Sequence, residues 1–204
     1  MSVPTARGRA GRLRLRHRLA AAARASELLD RKRRILAGEL DRLGLEARRT
    51  GEEWERSARE ARAWLQRAEA LDGQRALAAA TPAGLATVAI QYGEAMGVRY
   101  PVHTTVTPPA EPVRAGSSAL SYAADAHRRA LAAAVQHAAI SRAEAMVAAE
   151  LAHTRTRQRA IDNRWIPQLE NALRILEMQL DELDREENVR VRWAANLIQR
   201  SQGR

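Results

Sequence analysis

The side chains that could do chemistry are few, and their spacing does not assemble them. A phosphate-cradling loop needs Gly-x-x-x-x-Gly-Lys-Ser/Thr, because backbone amides hold the inner phosphates while the lysine reaches the outer ones. This chain has one lysine, Lys32, and no such loop. His17, His103, His127, His137 and His153 contain no closely spaced ligand pair, and cysteine is absent, so the usual nitrogen and thiolate ligand sets for a metal are missing. Asp181, Glu182, Asp184, Glu186 and Glu187 could be read as paired carboxylates for acid–base work. Lying beside many arginines at helical spacing, they fit surface ion pairs better. The residues therefore point to no catalytic, cofactor-binding or metal site, and to a protein that is not itself an enzyme.

What remains is charge. The net charge is +10, and residues 1–34 hold eleven basic side chains against Glu27 and Asp30, a local charge of +9. Such a block can grip nucleic acid, an anionic surface or an acidic protein, and charge alone does not choose among them. One reading gathers Arg9, Arg12 and Arg16 with Arg190 and Arg192 into a basic collar that meets acidic loops of a partner; the plainer one is a solvated face. A nucleic-acid-binding coiled coil is the main alternative function. Against it, no basic-region motif precedes a parallel zipper, and aromatic stacking residues are nearly absent from the basic segment.

The elements that must carry these residues are long helices. There is no Phe and aromatic content is 3% over 204 residues, so a thick globular core has few large side chains to fill it. Over residues 15–71 a strict four-three register places Leu, Ala or Trp at thirteen of seventeen positions, with Leu29, Leu36, Leu40 and Leu43 along its centre. A helix of that length would reach about 85 Å. Gly38, Gly44 and Gly51 each weaken it by about 1 kcal/mol relative to Ala, so its stability must come from a partner strand. Trp54 and Trp64 occupy the same register, which favours packing over a role as exposed anchors. A second seam runs through Ile166, Leu169, Leu173, Leu176, Leu180 and Leu183, and the helix carrying it starts near Ser117 or Ser118, either of which can act as an N-cap. Pro167 inside that helix predicts a bend, the alternative being that it begins a separate helix.

Between the helices, Thr81-Pro82-Ala-Gly84 and the run from Thr107-Pro108-Pro109 to Gly116 are breaker-rich and enclose alternating apolar and polar residues. These predict a β-hairpin with strands at residues 85–92 and 97–106 and a turn at 93–96, Pro101 confining the second strand to an edge. The expected fold is mainly α: a coiled-coil helix over 1–72, a middle unit with a short helix and hairpin over 73–116, and a coiled-coil helix over 117–204 paired antiparallel with the first. Both termini would then share one tip, with the hairpin at the other. No run of about 18 uncharged apolar residues is present, which argues against a membrane span. The basic N-terminus lacks the apolar stretch of a signal peptide, so a cytoplasmic location is expected.

Three separated stretches carry a resemblance. Pro4-Thr5 and then Leu28-Leu29-x-x-Lys32-Arg33-x-x-Leu36, Met96-Gly97-Val98-Arg99-Tyr100-Pro101, and the run IPQLENALRILEMQLDELDREENVRVR at 166–192 are similar, in this order, to the D subunit of V-type and archaeal-type (A-type) rotary ATPases, the central-stalk rotor shaft. Asp30, where the family usually has Lys, and Gln158-Arg159 depart from the pattern. The resemblance implies a non-catalytic rotor part that couples ATP synthesis or hydrolysis to proton or sodium transport, cytoplasmic and peripheral to the membrane within a membrane-bound complex. It implies as partners the catalytic A and regulatory B subunits around the terminal tip, with the small F subunit and the membrane-ring adaptor (C or d) at the hairpin end, and neither nucleic acid nor direct membrane insertion. Met96, Val98, Tyr100 and Pro101 would supply the hairpin contact; the alternative is that they close over their own helix neighbours.

Overall fold

The computed structural model describes residues 8–109 and 116–202, those beyond Asn196 as backbone only; Pro4-Thr5 and residues 110–115 lie outside the described residues. The fold is mainly helical: α1 (Gly8–Ala80), strands β1 (Thr87–Ala95) and β2 (Val98–Thr107), α2 (Ser118–Ala160), a π-helical turn (Ile161–Trp165) and α3 (Ile166–Gln202). Two compact units result, one from residues up to Arg31 together with those from Thr154 onward, the other from Lys32–His153.

In the Lys32–His153 unit, α1 and α2 run antiparallel. Partners on α1 rise in number while those on α2 fall: Lys32 with Glu150, Thr50 with His137, Glu60 with Arg129, Asp72 with Ser117. The seam between them is built from Leu36, Leu43 and Ala47 against Ile140, Ala143, Val147 and Leu151, all buried, with Leu40 half-buried beside them. Small residues let the two backbones approach. A Cβ at Gly51 would stand 3.2 Å from His137 Cε1, a tight approach, whereas at Gly38 nothing lies within 4 Å. Toward its C-terminus α1 is interrupted at Gly73, whose φ of 74° lies in the left-handed region that glycine tolerates best. The carboxylate of Asp72, just before that break, accepts from the Ser117 amide (2.9 Å) and hydroxyl (2.5 Å), tying the end of the long helical run to the start of α2.

The hairpin differs from the sequence reading in two ways. The first strand runs on to Ala95 and the second begins at Val98, leaving a two-residue turn in which Met96 (φ 50°) and Gly97 (φ 83°) are both left-handed. That combination is the primed turn whose twist matches a hairpin. Nor does the hairpin sit apart at a tip. It folds back along the helices until Ala95, Val98 and Tyr100 pack on the Leu36–Leu43 seam, because an isolated two-stranded ribbon cannot stabilise itself. Register slips by one between Gln91 and Tyr92, which pair with His103 and Pro101, so Val102 is the extra residue of a bulge. Pro101, with no amide to donate, is accommodated there.

In the other unit α1 is again antiparallel to its partner, with Arg9 against Asp184, Arg16 against Glu177 and Ser26 against Asp162. Leu15 and Ala22 meet Leu169, Leu176 and Leu180 in the buried seam, flanked by Ile166 and Leu173. Pro167 is the second residue of α3. The π turn comes immediately before it, and the Ile166 amide bonds the carbonyl of Ile161, five residues back. A wider turn relieves the clash a proline ring makes with the preceding turn of an α-helix.

Candidate functional site

The terminal-tip arginines are spread along both helices. Arg9 reaches Asp184 at 3.3 Å and Arg16 reaches Glu177 at 2.6 Å, both across the helix pair, and Arg12 is half-buried between them in sequence. Arg190 pairs along its own helix with Glu186 at 3.7 Å, and Arg192 is exposed. Since Arg9 lies level with Asp184, Arg190 and Arg192 follow six and eight residues, or roughly 9 and 12 Å of helix, further along. Leu183 leaves the buried seam, 58% exposed where Leu180 one turn earlier is 8% exposed. Leu29 is half-buried in the same unit.

At the hairpin the four contact residues separate. Met96 is 39% exposed and Val98 is partly buried, but Tyr100 is 4% exposed and Pro101 is buried. Tyr100 packs among Leu36, Leu43 and Ile140 of the chain's own helices, and Pro101 beside it is buried. The Tyr100 hydroxyl donates to Glu39 Oε1 at 2.5 Å; the same carboxylate accepts from Arg42 at 2.7 Å, and Arg42 also bonds Glu46 at 2.9 Å. The Arg42 guanidinium, aided by the phenol, holds the Glu39 carboxyl below its usual range against the opposing effect of burial, and the Arg42 pKa is raised chiefly by its bond to Glu39. Burial, then the bond to Glu39, pushes the Tyr100 phenol up. Gln136 completes the attachment: its Oε1 accepts from the amide and hydroxyl of Thr104, both at 2.9 Å, and its Nε2 donates to the Val102 carbonyl at 3.3 Å. Thus β2 is the strand fixed to the helices, while Val88, Ile90 and Tyr92 of β1 stay 45–51% exposed.

Spacing gave no hint of Glu39 and Arg42, because Tyr100 lies 61 positions from Glu39. A second feature was visible only as composition. The alanine run after Arg18 forms, with Arg157, Ile161 and Trp165, an apolar groove of about 550 Å³ beside the π turn. Trp54 is 40% exposed and stacks on His137 with ring centroids 5.7 Å apart; Trp64 is half-buried, stacked on Tyr122 at 4.8 Å with the Arg67 guanidinium over its ring. His127 Nδ1 donates to its own helix at the Ala123 carbonyl (2.8 Å). Among the described residues no group of three His, Asp or Glu side chains comes together for a metal, and no helix is long and apolar enough to cross a membrane.

Comparison with known proteins adds two findings. The sequence model of the ATP synthase D-subunit family matches residues 12–196. The D subunit of an A-type ATP synthase from Methanopyrus kandleri is 37% identical over 84 residues, which is 41% of this chain and 36% of that protein. The matched stretch thus spans about a third of that relative's length.

Proposed function

The chain belongs to the ATP synthase D-subunit family, and from that membership we propose that it is the central-stalk rotor subunit of a V/A-type rotary ATPase. It does no catalysis. It transmits torque between a hexamer of catalytic A and regulatory B subunits and the membrane ion-translocating ring, coupling ATP synthesis or hydrolysis to proton or sodium transport. The observation that carries this reading is the pair of continuous antiparallel seams, Leu36 and Leu43 against Ile140 and Val147 in one unit, and Leu15 and Ala22 against Leu169 and Leu176 in the other. Each knob is held by residues of the facing helix, so twisting one helix must carry its partner.

The same reading gives the surfaces their work. Arg9, Arg12 and Arg16 of α1, with Arg190 and Arg192 of α3, face acidic loops of the surrounding hexamer. Exposed pairs such as Arg9 with Asp184 are weak enough to be exchanged as the shaft turns. The small F subunit or the membrane-ring adaptor (C or d) meets the hairpin at Met96 and the exposed side of β1, the surfaces that Tyr100 and Pro101 leave free. The protein works on the cytoplasmic side, peripheral to the membrane.

Copurification tests it. The tagged full chain should bring down the A and B subunits and raise or regulate their ATP hydrolysis. Failure to capture them, combined with tight, steeply salt-dependent binding to duplex DNA, would instead assign the basic block to nucleic acid.

A further inference from the structure

The groove beside the π turn combines two properties that rarely serve the same ligand. Its floor is methyl groups, from Ala21, Ala22 and Ala25 of α1 facing Ile161, while Arg18 and Arg157 stand at its sides and Trp165, 51% exposed, forms a rim. The Arg18 guanidinium lies 6.0 Å from the Trp165 ring centroid. Neither Arg18 nor Arg157 has a carboxylate within ion-pair distance among the described residues. The surrounding stretches, residues 12–25 and 154–168, carry nine arginines, of which Arg16 is paired with Glu177, and one carboxylate, Asp162, which is occupied by the Ser26 hydroxyl at 2.5 Å.

From this juxtaposition we propose that the groove seats an acidic amphipathic helix of a protein partner, one large apolar side chain entering between the alanines and flanking carboxylates meeting Arg18 and Arg157. The charge excess requires an anionic occupant. The floor selects among anions. A phosphate lowered onto methyl groups would lose hydration and gain no donor, whereas an apolar anchor gains the contact and shields the adjoining ion pairs from water. Alanines also permit close approach, and an exposed Trp beside arginines matches the composition of binding hot spots. The inference rests on the rotor reading in one respect: the acidic helix is taken to belong to the surrounding A/B hexamer. Because the groove lies on one side of the helix pair, it engages one of the hexamer's equivalent faces at a time.

Full-length protein and its variants would be titrated with the purified A/B hexamer at several salt concentrations. Ala21→Trp fills the groove from an exposed position and leaves every charge in place. It should weaken binding about tenfold or more with the salt dependence unchanged. Arg18→Gln/Arg157→Gln, at two exposed positions that cannot unfold the seam, should weaken binding and flatten the salt dependence. Arg59→Gln, in the other unit, should leave it as in wild type. If the wild-type chain binds the hexamer and Ala21→Trp binds within about twofold of it, the groove proposal is overturned and the rotor reading stands. A wild-type chain that captures no hexamer overturns both. Duplex DNA binding that depends on Arg18 and Arg157 but not on Ala21, with hexamer binding indifferent to all three, would assign the band to phosphates and also overturn the proposal.

Discussion

Replacing Tyr100 with Phe isolates the bond that fastens the hairpin to α1. The ring still fills its place among Leu36, Leu43 and Ile140; only the hydroxyl that reaches Glu39 at 2.5 Å is lost. Hydrogen bonds to a charged acceptor contribute about 1.5–3 kcal/mol. Glu39 keeps Arg42 at 2.7 Å, so the lower end applies and Tyr100→Phe should destabilise the protein by about 1.5 kcal/mol in urea unfolding at neutral pH. The pH dependence gives a second signature. A phenol whose folded pKa is raised contributes stability that is complete below its unfolded pKa of about 10 and is lost as pH rises through the folded value. The Phe variant should lack this alkaline loss. On the acid side Glu39 behaves oppositely: its lowered pKa contributes stability above the unfolded value of about 4.3, lost as pH falls through the folded value. Because Arg42 is the first cause of that lowering, the acid limb should largely survive in the variant. Amide hydrogen exchange would localise the effect, with β2 protection falling and the Leu15 to Leu180 seam unaffected. A destabilisation below about 0.5 kcal/mol with parallel alkaline profiles would refute the assignment of the hydroxyl as the fastening.

Three further perturbations follow from the geometry. Gly38→Ala, with open space around it, should stabilise α1 by about 1 kcal/mol; Gly51→Ala should gain at least about 1 kcal/mol less, because His137 is held between Trp54 and the Thr50 hydroxyl and cannot give way, and paired thermal melts would read the contrast. Asp72→Ala removes the acceptor of both Ser117 bonds and should cost about 1–2 kcal/mol in urea unfolding. Arg9→Gln and Arg16→Gln break exposed pairs and should leave stability within about 0.5 kcal/mol of wild type, while hexamer binding in the same variants tests the proposed contact.

Local pattern alone determined the helices and their seams. Leucines at three- and four-residue steps must share one face, and a chain without Phe has few other ways to bury apolar surface, so Leu36, Leu43, Leu169 and Leu176 could be read as buried before any coordinates. Alternation between two breaker-rich stretches likewise marked the hairpin, although its turn falls at Met96 and Gly97 and not at 93–96. Which neighbour each element meets is a property of distant pairs, and there tertiary structure decided. Tyr100 looked like a contact residue on an exposed ribbon until Glu39, far away along the chain, supplied an acceptor and the seam supplied cover. Leu183 continued a leucine register, yet it is 58% exposed where Leu180 is buried, because the packing at each level and not the spacing decides which register positions are covered. Pro167 announced a disturbance, and the structure places a π turn immediately before it while Leu169 remains packed with Leu15 and Ala22. Periodicity specifies a face; only packing specifies what the face is against.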